Sequence, residues 1–246
     1  MSQERWSAVD DFFNSQLIKE DPVLVSAITN SDAAGLPPHH VAPNQGKLLQ
    51  LLACTVGAKS ILEIGTLGGY STIWLARALP TDGRLISLEF DPTCVAVARK
   101  NINATGLDAV VDIREGAAHD SLPELIDHPA SAFDLIFIDG MHLFDFKLVD
   151  LFLSDLVLRD GGFLLLHDLL IPSVKKTTRF IDRHKDYRHI QTPELRPSIP
   201  RRLRYLAGAF LKRRPMWYWW PNGFSNLLVL QKKTTVDHKW DFYRNF

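Results

Sequence analysis

Ser60-Ile61-Leu62-Glu63-Ile64-Gly65-Thr66-Leu67-Gly68-Gly69-Tyr70-Ser71 passes from an apolar run of strand length into a glycine-bearing turn, and then into a helical pattern over 71–79. A short run that is apolar almost throughout marks a strand covered on both faces, as in a parallel sheet layered by helices. Arg84-Leu85-Ile86-Ser87-Leu88, Phe133-Asp134-Leu135-Ile136-Phe137-Ile138 and Gly162-Phe163-Leu164-Leu165-Leu166 repeat that pattern, with a weaker version over 110–114. Helical patterns over 92–104, 144–158 and 172–184 fall between or after them. Pro92 suits a first helical turn, and Gly106 stands just past a helix end. Strand–helix alternation of this kind predicts an α/β fold with a doubly wound, mostly parallel sheet.

Outward from this core, residues 1–56 read as an N-terminal cap of two or three helices, broken at Pro22 and at Gly35-Leu36-Pro37-Pro38. Residues 57–190 form the expected core. Residues 191–246 read as a basic, aromatic excursion followed by a last strand, Asn226-Leu227-Leu228-Val229-Leu230, that completes the sheet. The excursion carries Arg196, Arg201, Arg202, Arg204, Lys212, Arg213 and Arg214 against Glu194, and then Trp217, Tyr218, Trp219 and Trp220. Three readings of 196–220 stay open: a surface segment with snorkelling arginines, a lid over substrate, or a patch resting on a membrane surface.

The 246 residues are 46% hydrophobic and 23% charged, an ordinary globular balance. A formal net charge of +0 gives no electrostatic footprint for nucleic acid. Cys54 and Cys94 lie in apolar helical patterns and read as core thiols, which fits a reducing, cytoplasmic setting. The polar first residues do not suggest a secretory leader. No uncharged apolar stretch reaches the roughly 18 residues of a membrane span.

The glycine turn lies where open α/β sheets bind ligands, at a strand's carboxyl end. Gly65 and Gly69 would let the backbone approach a ligand closely. The spacing is neither the G-x-G-x-x-G of dinucleotide folds nor a phosphate-binding P-loop. Glu89, closing Leu88-Glu89-Phe90-Asp91, adds a second feature: a carboxylate there can accept both ribose hydroxyls of a nucleoside, although a solvated strand-end acid looks the same.

These residues resemble the class I O-methyltransferases related to the caffeoyl-CoA and catechol enzymes. The likeness rests on Pro43-Asn44-Gln45-Gly46, Ala58-Lys59-Ser60, Glu63-Ile64-Gly65-Thr66, Gly69-Tyr70-Ser71 and Leu88-Glu89-Phe90-Asp91-Pro92. It implies S-adenosyl-L-methionine as cofactor. Glu63 and the loop Gly65, Gly69, Tyr70 and Ser71 would then hold the methionine part, and Glu89 the ribose. Gly116-Ala117-Ala118 would line the adenine.

Two further strand ends carry chemistry: Ile138-Asp139-Gly140-Met141-His142 and His167-Asp168. They resemble the macrocin-type O-methyltransferases, so the likeness extends over roughly 40–184. Methyl transfer to oxygen needs the acceptor hydroxyl to lose a proton, and a phenol has a pKa of about 10. His142 is the candidate base, beside Asp139. Asp139 also lies where cofactor binds. Asp139, Asp168 and His167 are candidate ligands for a divalent cation, Mg or Mn. Metal-dependent relatives usually carry an acid where His167 stands, which weakens a magnesium site.

The expected partner is a small-molecule acceptor. A homodimer seam through the N-terminal helices or the tryptophans stays open. Two competing readings use the same fold class: an NAD(P)-dependent oxidoreductase, and a non-catalytic membrane-surface or partner-binding module.

Overall fold

The computed structural model describes residues 11–12, 14–16, 18, 21–126, 132–169, 171–190 and 226–236. The basic aromatic stretch 196–220 lies outside these residues, as do the first ten.

Helices α1 (Pro22–Ala33) and α2 (Pro43–Thr55) lie ahead of the sheet in the chain. Asp21 caps α1, accepting from the amides of Val23 at 3.0 Å and Leu24 at 3.4 Å, and Pro22 stands in the first turn. Then follow β1 (Ser60–Ile64), α3 (Tyr70–Ala76), β2 (Arg84–Glu89), α4 (Pro92–Thr105) and β3 (Val111–Glu115). Asp91 and Pro92 start α4, and Gly106 ends it at φ 70°, in the left-handed region that favours glycine. The second half runs α5 (Ala118–Ile126), β4 (Phe133–Ile138), α6 (Phe144–Val157), β5 (Leu158–His167), α7 (Pro172–His184), β6 (Asp186–His189) and β7 (Leu227–Thr234).

The sheet order is β3-β2-β1-β4-β5-β7-β6. Pairings from β3 across to β5 are parallel, and β7 runs antiparallel to both β5 and β6. The chain moves outward from β1 in one direction and returns to β4 on the other side. The switch point therefore opens between β1 and β4, and ligands of such sheets bind at its carboxyl end.

Both faces are covered, which explains the unbroken apolar strands. Ile61, Leu135 and Leu165 face a core with Leu49, Trp74, Val95 and Ala98. Their neighbours Leu62, Ile136 and Leu164 face a second core with Leu122, Leu151, Val174 and Ile181.

Three elements depart from the sequence reading. Helix α5 was not expected, because it is short and holds Pro123 inside it. Strand β6, Asp186-Tyr187-Arg188-His189, has no apolar alternation; it is an edge strand paired with β7 alone. Strand β5 starts at Leu158 rather than Gly162. Its pairing with β4 jumps from Phe133↔Leu158 to Leu135↔Phe163, so Asp160-Gly161-Gly162 stands as an irregularity within the strand.

Candidate active site

The carboxyl ends of β1 to β5 frame one cleft of about 1130 Å³. Gly65, Tyr70, Ser71, Glu89, Ala117 and Asp139, all expected to hold the cofactor, line it. So do His142, His167 and Asp168.

Glu63 and Gly69 do not line it. Glu63 is fully buried and points into the protein, where it accepts from Ser71 Oγ at 2.6 Å, Thr72 Oγ1 at 2.5 Å and Ser87 Oγ at 2.6 Å. Burial pushes its carboxyl up to about 7, against those hydrogen bonds. It ties the start of α3 to β1 and β2 rather than facing a ligand. Gly69 caps α3 at φ 84°, with Ala98 as the neighbour a Cβ would meet. Gly65 lines the cleft, but the approach it permits is to protein: at φ +93°, a Cβ would lie 2.8 Å from the Gly140 backbone. The loops after β1 and β4 are thereby pressed together at the switch point.

Glu89 is buried at the cleft wall. Its Oε2 accepts from the Thr66 amide at 3.0 Å and the Leu67 amide at 2.9 Å, and its Oε1 from the Asp91 amide at 3.1 Å. Leu67 adopts φ 50°, unusual for a branched side chain. The strained loop and the carboxylate thus fix each other. Each carboxylate oxygen offers two lone-pair sites, so Oε1 keeps one for a ligand hydroxyl. The Gly116 amide donates to the Glu89 carbonyl at 2.8 Å, setting Gly116-Ala117 alongside.

At the other end, Asp139, His142 and Asp168 each present a ligand atom within 4.8 Å of the others. His142 Nε2 lies 2.8 Å from Asp168 Oδ2, and His142 Nδ1 is buried without a hydrogen-bond partner. His167, expected among the metal ligands, is instead spent on Asp139, with its Nδ1 3.0 Å from Asp139 Oδ1 and 3.6 Å from Asp168 Oδ1. Burial works against its charge, but the bonds to Asp139 and Asp168 prevail and hold its pKa at about 9. Hydrogen bonds from His142 and then His167 keep Asp168 far below the usual carboxylate range, against the effect of burial. Asp168 sits at φ 60°, a conformation aspartate tolerates better than most residues. Two carboxylates and an imidazole suit a first-row divalent ion as well as magnesium, and the partnerless Nδ1 agrees with a missing polar neighbour.

Sequence reasoning missed several residues here. Asn226, read only as the start of a strand, donates from Nδ2 to Asp168 Oδ1 at 2.9 Å. Lys147 is fully buried in α6 and donates to the Gly140 carbonyl at 3.2 Å, behind the Asp139 loop. His119, Phe146 and Asp150 line the cleft from α5 and α6. The signal available for Lys147 and Asp150 was their place among the apolar residues of 144–158, where a solvated helix face would put them outside.

An antiparallel β7 between β5 and β6, beside a parallel sheet with its cleft at the switch point, is the arrangement of the class I methyltransferase fold. The chain belongs to the O-methyltransferase family, whose model matches residues 14–169. Over 140 residues it is 52% identical to a catechol O-methyltransferase of Niastella koreensis, covering 57% of this chain and 63% of that one. The matches thus span less than two thirds of the length of these curated relatives. Among solved structures, the Bacillus cereus O-methyltransferase in complex with S-adenosylhomocysteine superposes with a TM-score of 0.72 at 30% identity, over 94% of this chain and 99% of that one. The O-methyltransferase TomG from Streptomyces achromogenes, involved in tomaymycin synthesis and in complex with S-adenosylmethionine, gives 0.71 at 30% identity, over 95% and 100%. Among the described residues, no helix is long and apolar enough to cross a membrane.

Proposed function

We propose that this chain transfers the methyl group of S-adenosyl-L-methionine to a hydroxyl oxygen of a small molecule of the catechol type. The observation that carries this reading is one continuous cleft of about 1130 Å³ with Glu89 at one end and Asp139, His142 and Asp168 at the other. Single-ligand sites run to roughly 300–1,000 Å³, so there is room for donor and acceptor together. The cofactor is supported by the Bacillus cereus and Streptomyces relatives, and the catechol-type acceptor by the name of the Niastella relative.

In this reading Glu89 accepts from a ribose hydroxyl, Gly65, Tyr70 and Ser71 border the methionine part, and Ala117 borders the base. The S–CH₃ bond breaks as the O–CH₃ bond forms, and sulfur leaves as the neutral thioether. The acceptor's proton goes to His142. Asp168 holds the imidazole through Nε2–H, which leaves the ring's lone pair on the partnerless Nδ1. His167 and Asn226 steady Asp139 and Asp168.

The spacing within 4.8 Å favours a second reading, exclusive of His142 as base: a divalent cation held by Asp139, His142 and Asp168, in which the ring lone pair of His142 goes to the ion instead of the acceptor's proton. When bound, such an ion would supply Lewis-acid stabilisation to the acceptor's oxygen.

The test is incubation with isotopically methyl-labelled S-adenosylmethionine and catechol, with and without chelator and with Mg or Mn restored. Label should appear on a catechol oxygen, and His142→Ala should lower turnover far more than cofactor affinity. Failure of calorimetry to detect S-adenosylhomocysteine binding would remove the reading. Activity indifferent to chelation, in protein free of metal, would remove the cation alone.

A further inference from the structure

Asp150 stands on α6 one turn after Phe146, 4% exposed, and lines the cleft. Among the described residues nothing donates a hydrogen bond to its carboxyl, and no cation lies within ion-pairing distance. Lys147 beside it donates to the Gly140 carbonyl instead. A buried carboxyl without a donor is costly, and as a carboxylate it can only accept. Burial raises its pKa to about 6, with Lys147 and His119 acting in the opposite direction. A ligand that settles here must bring the missing N–H or O–H.

The surroundings narrow what that ligand is. His119 and Phe146 lie with ring centroids 5.6 Å apart and form an aromatic wall beside the acid. Ala117 and Ala118 add small side chains to the same end of the cleft. The chain order ties this end to Glu89: the Gly116 amide is on the Glu89 carbonyl, and His119 follows three residues later. A nucleoside whose ribose meets Glu89 therefore has its base directed along Gly116-Ala117-Ala118 toward His119, Phe146 and Asp150. A 9-substituted adenine offers ring nitrogens that only accept, and one N–H donor, the 6-amino group.

We infer that Asp150 accepts a hydrogen bond from the 6-amino group of the donor's adenine, making this cleft selective for 6-amino over 6-oxo purines. This rests on the cofactor reading above and adds to it a residue that sets base specificity. A 6-oxo purine places a carbonyl oxygen against the carboxylate, where neither can donate. A site built around a particular hydrogen bond discriminates strongly against the analogue lacking it.

Calorimetry on the full chain with two probes tests this: S-adenosylhomocysteine and its 6-oxo counterpart, S-inosylhomocysteine. The wild type should bind the inosine compound about tenfold more weakly, or worse. In Asp150→Asn, whose amide can donate as well as accept, that ratio should collapse toward one. Asp150→Ala should weaken the adenosine compound and, by removing the opposed acceptor, bind the inosine compound no more weakly than the wild type does. Each ratio is taken within one protein sample, so a loss of folded fraction does not mimic the effect. Equal binding of both probes by the wild type, or an unchanged ratio in Asp150→Asn, overturns the inference and leaves the cofactor reading standing. Binding of neither probe removes the cofactor reading and the inference with it.

Discussion

Asn226 Nδ2 donates to Asp168 Oδ1 at 2.9 Å, joining the residue ahead of the last strand to the acid that ends the fifth. The contact exists because β7 runs antiparallel beside β5, pairing Leu227 with His167. Asp168 also holds His142, so the orientation of the candidate base depends on a residue far away in sequence. Asn226→Ala should lower kcat by roughly ten- to a hundred-fold, the range expected for losing a hydrogen bond to a charged group. Binding of S-adenosylhomocysteine should not change. Steady-state kinetics with calorimetry checks this. A drop in cofactor affinity with kcat intact would place Asn226 elsewhere in the mechanism.

Glu89 carries two tasks, gathering the Thr66, Leu67 and Asp91 amides while keeping an acceptor site toward the cleft. Glu89→Gln preserves shape but replaces one acceptor oxygen with a donor and removes the charge. Cofactor affinity should fall about ten- to hundred-fold, the scale of a charged hydrogen bond lost in a buried site. Once cofactor is saturating, kcat should recover most of its value. Isothermal titration and a cofactor-dependence curve test both halves; unchanged affinity would end the ribose assignment.

The strands were legible because both sheet faces are covered, which leaves few polar interruptions in Ser60–Ile64 or Phe133–Ile138. Asp139 and Glu89 were legible as strand-end acids once the sheet was parallel. Glu63 shows the limit of that argument. A strand-end acid turned inward to Ser71, Thr72 and Ser87 looks, in one dimension, the same as one facing a ligand. Asn226 and Asp150 were hidden for another reason. Their roles come from strand order and from the packing of α5 against α6, and no local spacing encodes either. His142 was legible as a base candidate, but its grouping with Asp139 and Asp168 in place of His167 depends on side-chain directions.

Glu63 also predicts a pH dependence. Its carboxyl titrates near 7 in the folded protein against 4.5 for the free group, because burial disfavours the charge. Between those values the native state holds the proton more tightly than the unfolded chain. Its contribution to stability is fully present below about 4.5 and is lost as pH rises through about 7. The change amounts to about 3 kcal/mol at 1.36 kcal/mol per unit. Glu63→Gln cannot titrate, so its stability should vary less between pH 5 and pH 8, two values that roughly bracket the transition. Urea unfolding of both proteins across that range is the measurement. Parallel profiles would mean that the three hydroxyls hold Glu63 ionised throughout.

One buried acid ties the last pair of strands to α6. Asp155, in the last turn of α6, receives Lys185 Nζ at 2.6 Å and Tyr187 Oη at 2.6 Å, with Lys232 Nζ at 3.6 Å. Lys232, buried in β7, also donates to the carbonyls of Asp155 at 2.5 Å and Leu158 at 2.9 Å, so it closes the end of the helix. Asp155→Ala would strand two buried ammonium groups without their counter-charge. Breaking a buried pair in this way costs about 3–5 kcal/mol. In a chain of this size that corresponds to a fall in Tm of roughly 6–20 °C. Lys233→Ala removes only the exposed pair with Asp186 and should shift Tm by no more than about 4 °C. Differential scanning calorimetry of the two variants separates the cases. If Asp155→Ala melted as Lys233→Ala does, then β6 and β7 would be held by their ladder alone, and Asp155 would not be what fastens them to α6.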